Sequence, residues 1–277
     1  MTATLELDLE PVTGTIGATV RGIDLGAPLD DATISALRGA LVRYGVLFFR
    51  DQQLSRDQHV AFGRRFGELH VHPFVPNLGP DHPEIIELTT SGMTRFLDWH
   101  SDATFEELPP LGSILYAHEV PEAGGDTLFT SAVAAYDALS ATMQELLDGL
   151  RAFHDSTPSF GAGGVSERWT RSGDADQTLT SHPVVRTHPE SGRKAIFVNS
   201  IFTTGIVGMN PDESAALLRF LIGHVSHPMF QVRFRWEPNS VAFWDNRAVQ
   251  HAAVADFAGS GAVRRMHRVT VIGDRPV

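Results

Sequence analysis

The sequence contains no cysteine. That excludes a disulfide framework, a thiolate nucleophile and an iron–sulfur cluster, and leaves histidine and carboxylate as ligands for any metal. Basic charge is scarce, with 22 Lys and Arg against 33 Asp and Glu and a formal net charge of -11. This balance works against attraction to nucleic acid or to an anionic membrane surface, and favours a small-molecule partner. Long apolar runs are also missing. The strongest, Val46 to Phe49 and Ala215 to Val225, fall well short of the ~20 residues that cross a bilayer. The start, with Glu6, Asp8 and Glu10, is unlike a secretion signal. We expect a cytoplasmic protein. No glycine-rich dinucleotide or phosphate loop and no internal repeat is present, which argues against the nucleotide-binding folds.

What is present is ordinary globular composition, 42% hydrophobic and 20% charged over 277 residues. A chain of this length suits one β-rich domain over residues 1–277. Ile34, Leu37 and Leu41 mark a helical face. After Gly45, the run Val46-Leu47-Phe48-Phe49 predicts a buried strand. Ser55 and Gln58 form a capping-box pattern ahead of Val60 and Phe62. From His70 to Pro83 prolines and glycine predict an ordered loop, then Ile85 to Leu88 a strand. Gly124-Gly125 predicts a turn before Asp126-Thr127-Leu128-Phe129, and helical material follows from Ser131 to about Leu150. Gly161 to Gln177 is expected to be a mobile loop. Asn210-Pro211-Asp212-Glu213 is a strong helix start. Alternation through Val232, Phe234 and Trp236, and the run Val241 to Trp244, predict the closing strands. Short strands with helices around them suggest a mainly β fold with a jelly-roll core and added helices.

Residues two apart on a strand share a face, so His100 and Asp102 in Trp99-His100-Ser101-Asp102-Ala103 could reach one metal. The bare pattern is weak, since His82-Pro83-Glu84 and His188-Pro189-Glu190 also carry it. Proline between the candidate ligands places those two at turns. Two histidines and one carboxylate on one face of an octahedron suit Fe(II), because positions stay open for a bidentate co-substrate and O2. A lone histidine such as His251 is otherwise an ordinary core or surface residue. Arg264 and Arg268 would share a strand face and offer two guanidiniums to one cavity, or form a solvated surface pair.

These segments in order are His100-Ser101-Asp102, Gly124-Gly125-Asp126-Thr127, Trp244-Asp245-Asn246-Arg247 leading to Gln250-His251, and Arg264-Arg265-Met266-His267-Arg268. In their order and spacing they resemble the taurine dioxygenase family of Fe(II)/2-oxoglutarate enzymes, from about Ile16 to Asp274 and including Phe66 to Pro73. The resemblance implies a double-stranded β-helix, a jelly-roll variant, with iron on His100, Asp102 and His251. It also implies that Thr127 and Arg264 hold the distal carboxylate of 2-oxoglutarate, and that His72 and Arg268 meet the anionic head of the primary substrate. Phe160 and Phe202 match the aromatic walls of the family's substrate pocket. Two departures concern the taurine amine: Val75 and Phe96 stand where the family has a tyrosine and an asparagine. Neither replaces a hydrogen bond to an ammonium. The expected substrate is therefore a small acid without that amine: an alkyl or aryl sulfonate, an alkyl sulfate or an aryloxy acid. 2-Oxoglutarate and O2 are the expected co-substrates, succinate and CO2 the co-products, and a homo-oligomer the expected assembly. The rival readings are a zinc hydrolase using the same ligands and a non-enzymatic jelly-roll module that binds an acidic metabolite.

Overall fold

The computed structural model describes residues 6–91, 98–161, 179–257 and 260–277. Phe96 lies outside them, as does the expected mobile loop 161–177 beyond Gly161. The architecture is mainly strands with added helices, arranged as two facing sheets of a jelly roll. The major sheet has seven strands in the spatial order Asp8–Pro11, Ala18–Arg21, Val46–Phe49, Val241–Asp245, Gly112–Glu119, Val263–Val271 and Ile86–Ser91. All neighbours in it are antiparallel except Ala18–Arg21 with Val46–Phe49. Opposite stands a smaller sheet, Gln231–Phe234, Thr127–Ser131 and Val249–Ala253. Two further small sheets hold Thr203–Ile206, Arg151–Asp155 and Leu179–Pro183, and Lys194–Ile196 with Val185–Thr187.

The apolar run Val46 to Phe49 is continuous because its strand is covered on both faces. Leu47 and Phe49 point outward with Val241 and Phe243, under helices Asp31–Tyr44 and Arg56–Arg64. Val46 and Phe48 point inward and meet Phe129, Val232 and Phe234 of the facing sheet. The rings of Phe48 and Phe234 stack at 4.1 Å. Each such buried side chain contributes roughly 1.5–3 kcal/mol.

Local signals set the ends of the helices. Ser55 and Gln58 form the expected capping box, and so do Asn210 and Glu213 at the start of Pro211–Val225. Gly45 ends the first helix at φ 73°, a left-handed conformation, and a Cβ there would lie 2.8 Å from Val249 Cγ2. The helical material expected from Ser131 to about Leu150 consists of two helices, Ala132–Asp137 and Ala141–Leu147. Ser140 divides them, because its side chain accepts from Met143 N and caps a new helix rather than continuing the old one. The strand expected through Trp236 ends at Phe234.

Candidate active site

A cavity of about 170 Å³ lies between the two sheets. Every site residue named from the sequence lines it, apart from the undescribed Phe96: His100, Asp102, His251, Thr127, Arg264, Arg268, His72, Val75, Phe160 and Phe202.

At one end, His100, Asp102 and His251 bring one potential ligand atom each within 4.8 Å of one another. The route differs from the strand geometry expected for His100-Ser101-Asp102. His100 and His251 face each other across an isolated antiparallel bridge, closed by His251 N donating to His100 O at 2.8 Å and His100 N to His251 O at 3.1 Å. Their rings lie 4.2 Å apart. The chain then turns at once, with Ala103 at φ 43° and Glu106 N donating to Ala103 O. A left-handed alanine costs on the order of 1–2 kcal/mol, which here accompanies the turn that carries the Asp102 carboxylate beside the two rings.

Two of the three ligand candidates, His100 and Asp102, are held from behind by hydrogen bonds. His100 Nδ1 donates to Asp98 O at 2.8 Å, leaving Nε2 as the electron-pair donor. Asp102 Oδ2 accepts from Ser113 Oγ at 2.7 Å and Asn246 Nδ2 at 3.3 Å, while Oδ1 accepts from Arg268 Nη1 at 2.5 Å. Asn246 Oδ1 in turn accepts from Asp102 N and from Trp244 Nε1. Burial works to raise the Asp102 pKa, but the Arg268 charge, the two imidazoles and the Ser113 bond outweigh it and hold the carboxyl well below its usual range. Burial lowers His100, and pushes His251 down to about 3, so both rings are neutral at pH 7. Two neutral imidazoles and a carboxylate, all deprotonated and convergent, fit a divalent iron.

Asn246 and Ser113 are the supports that reading for ligands missed. The signal was in the Trp244-Asp245-Asn246-Arg247 segment. Behind it, Asp245 is buried and binds Arg247 through Nε at 2.8 Å and Nη2 at 2.7 Å. Arg247 Nη1 reaches Glu190 at 2.7 Å. His188 Nδ1 accepts from the backbone of Glu190 and Ser191, so its proton is on Nε2, which donates to Asp245 at 3.0 Å. The His188-Pro189-Glu190 pattern is therefore a brace for the Asp245–Arg247 turn. His82-Pro83-Glu84 is equally unlike a metal site, with Glu84 paired to Arg64.

At the other end, Arg264 is 6% exposed and donates from Nε to Gly125 O at 3.0 Å and from Nη2 to Thr127 Oγ1 at 3.3 Å. Among the described residues it has no carboxylate partner; Asp126, the nearest acidic influence, is bound to Arg233. Burial pushes Arg264 down to about 10, with Asp126 opposing, so the guanidinium stays charged at neutral pH. Thr127 Oγ1 accepts from both Arg264 and Trp236 Nε1, so its own hydrogen remains to be donated. A buried cation beside an uncommitted hydroxyl donor is costly unless an anion completes it.

The side wall is aromatic. Phe74 stacks on Phe160 at 4.9 Å, Phe105 meets Phe202 edge-on at 5.1 Å, and Val75, Ile86 and Ala103 fill the same cluster. His72 Nδ1 accepts from Phe74 N and Val75 N, which fixes its hydrogen on Nε2. Arg268 projects from the same strand face as Arg264. Beyond its bond to Asp102, its Nε is buried without a partner among the described residues.

The taurine catabolism dioxygenase TauD, TfdA family model matches residues 8–270. An alpha-ketoglutarate-dependent sulfate ester dioxygenase of Pseudomonas putida is 39% identical over 280 residues, covering 99% of this chain and 92% of that protein. An alkylsulfatase of Acinetobacter baylyi is 35% identical, with 98% of this chain and 86% of that protein covered. The crystal structure of a taurine dioxygenase from Burkholderia xenovorans superposes with a TM-score of 0.85 at 39% identity, over 98% of this chain and 91% of that one. Alpha-ketoglutarate is 2-oxoglutarate, a dicarboxylate. This chain belongs to the TauD, TfdA family, and it is a dioxygenase that uses Fe(II), 2-oxoglutarate and O2.

Proposed function

We propose that the enzyme hydroxylates an organic sulfate ester or sulfonate with an apolar body, in preference to taurine. The observation that carries the reading is the composition of the cavity wall. Val75, Phe160 and Phe202 line it and offer no side-chain hydrogen-bond acceptor to an ammonium, while Arg268 retains donors for an anion. Names of relatives point the same way, toward sulfate esters and alkyl sulfates.

In this reading His100, Asp102 and His251 hold Fe(II), and Arg264 with Thr127 grips the distal carboxylate of 2-oxoglutarate. When bound, the iron and the keto acid supply the oxidising chemistry, which consumes O2 and yields succinate, CO2 and a hydroxylated substrate. The protein supplies placement. Arg264 binds the carboxylate through its guanidinium, and Thr127 donates the hydrogen that Arg264 and Trp236 leave available. Arg268 bridges the Asp102 carboxylate and the substrate anion, with His72 Nε2–H as a second donor. The aromatic wall excludes water and sets the reacting carbon against the metal site. Hydroxylation of the carbon bearing the sulfate would give a product that collapses to a carbonyl compound and free sulfate.

The proposal includes one domain spanning the chain, a cytoplasmic location and a homo-oligomer. Cell fractionation and light scattering test the last two. Among the described residues, no helix is long and apolar enough to cross a membrane. The deciding assay measures succinate formation with Fe(II), ascorbate and 2-oxoglutarate across a panel of taurine, alkylsulfonates, alkyl sulfates and aryloxy acids. A short-chain alkyl sulfate or alkylsulfonate should exceed taurine in kcat/KM, because burying an apolar chain gains roughly 25 cal/mol per Å² while an unpartnered ammonium loses solvation. A clear win for taurine would overturn this assignment.

A further inference from the structure

Among the described residues, the strand Ile86–Ser91 closes the edge of the major sheet beside the arginine-bearing strand. In the register between them Ile86 faces Arg268, Leu88 faces Met266 and Thr90 faces Arg264. Leu88 and Thr90 line the cavity with both arginines, so the inward face of this edge strand runs parallel to the row Arg268, Met266, Arg264. Four residues of strand span roughly 13 Å. Arg268, bonded to Asp102, marks the metal end of that row, and Arg264 marks the far end. Thr90 belongs to the far end.

The Thr90 hydroxyl is buried and, among the described residues, has no hydrogen-bond partner. Valine would fill the same volume on the inward face of this edge strand without burying a hydroxyl. Thr90 is the cross-strand neighbour of Arg264, whose guanidinium has no carboxylate partner among the described residues, and it lines the same cavity as Thr127, which has a hydrogen to give. From this we infer that Thr90 is a further co-substrate-binding residue: its hydroxyl donates to the distal carboxylate of 2-oxoglutarate, together with Arg264 and Thr127. The inference rests on the reading of Arg264 as the far anchor of that co-substrate. Thr90 then helps to set the length of keto acid accepted, because its hydroxyl is placed for a carboxylate at this depth.

The test is calorimetric binding to the anaerobic Fe(II)-loaded protein, with 2-oxoglutarate as one probe and oxalate as the other. Oxalate chelates a metal but has nothing to reach Arg264. Thr90→Val should weaken 2-oxoglutarate roughly 10-fold, the loss of one hydrogen bond to a charged group, and leave oxalate unchanged. Thr90→Ser should bind 2-oxoglutarate like the unaltered protein. Ligand-free Thr90→Val should melt at or above the unaltered protein, because it removes an unsatisfied buried hydroxyl. Unchanged 2-oxoglutarate affinity in Thr90→Val would overturn the inference, as would equal losses for both probes or a lowered melting temperature, which make the hydroxyl structural. If Thr90→Val does not fold, Thr90→Ala carries the same comparison of probes. Failure of the unaltered protein to bind 2-oxoglutarate would instead sink the co-substrate reading itself, and this inference with it.

Discussion

Arg264 and Arg268 leave the same face of one strand and line the same cavity, yet their electrostatic circumstances are opposite. Arg268 is already paired with the Asp102 carboxylate. Arg264 is at least as deeply buried and meets a carbonyl, a hydroxyl and the Trp236 ring, with no carboxylate partner among the described residues. At the metal end the Asp102 carboxylate is satisfied from within the protein, with Ser113, Asn246 and Arg268 all donating to it. The far end is an excess of donors awaiting an acceptor. A buried carboxylate whose bonds are complete speaks for its placement, here as a metal-ligand candidate. A buried charge whose partner is missing speaks for a guest of opposite charge.

The difference can be broken most severely at the metal end. Asp102→Ala removes the only carboxylate ligand candidate in the cluster and leaves Arg268 buried without its partner, so two losses coincide. Substrate-stimulated 2-oxoglutarate consumption should vanish, and the metal-free protein should lose about 3–5 kcal/mol in a denaturant titration. Wild-type turnover would remove the iron assignment.

Acid separates the two ends next. His251 is pushed down to about 3 by burial, as is His154, while an unfolded chain protonates its histidines near 6.5. Between those values the unfolded state binds protons that the native state refuses, so stability is complete above pH 6.5 and falls as pH drops towards 3. Each such histidine contributes a slope of about 1.4 kcal/mol per pH unit. Arg264 keeps its charge throughout. Denaturant midpoints measured from pH 8 to pH 4 should be flat at first and then decline, and a flat profile across the whole range would contradict the buried neutral imidazoles.

Exchanging the arginines sharpens the comparison directly. Arg264→Ala should weaken 2-oxoglutarate by on the order of 1.5–3 kcal/mol with little effect on metal affinity. Arg268→Ala should leave 2-oxoglutarate nearly unaffected at its far end, raise KM for the acidic substrate and loosen the metal. Equilibrium binding of each ligand to each variant distinguishes them. A smaller effect is expected for Asn246→Ala, whose loss frees both Asp102 and the Trp244 indole from a shared support. Metal affinity should fall by about 10–100-fold, measurable by competition with a chelator.

Much of this was legible in the sequence because it lay in local patterns. Ser55 with Gln58 and Asn210 with Glu213 carry their own capping chemistry, and Val46 to Phe49 announces a strand buried on both faces. The resemblance named the three residues that cluster as metal-ligand candidates, but their geometry was not legible. The strand expected at His100 to Asp102 is a single bridge followed by a turn through a left-handed Ala103, set by pairing with His251, far away along the chain. Asn246 and Ser113 escaped notice for the same reason, since their roles exist only where distant segments meet at Asp102. The break at Ser140 between two helices was not legible, because a serine inside a helical pattern caps or continues depending on what its neighbours pack against. Phe96 lies outside the described residues, so its place opposite a substrate rests on the resemblance alone.

The central claim, that a metal at one end and an unpaired arginine at the other are completed by one keto acid, is tested most directly by titrating the anaerobic Fe(II) protein with 2-oxoglutarate. We predict a weak visible charge-transfer band that saturates at one ligand per chain, and in Arg264→Ala the same band reached only at roughly 10-fold or more higher concentration. No band in the unaltered protein, or identical titration curves for the two proteins, would contradict the account.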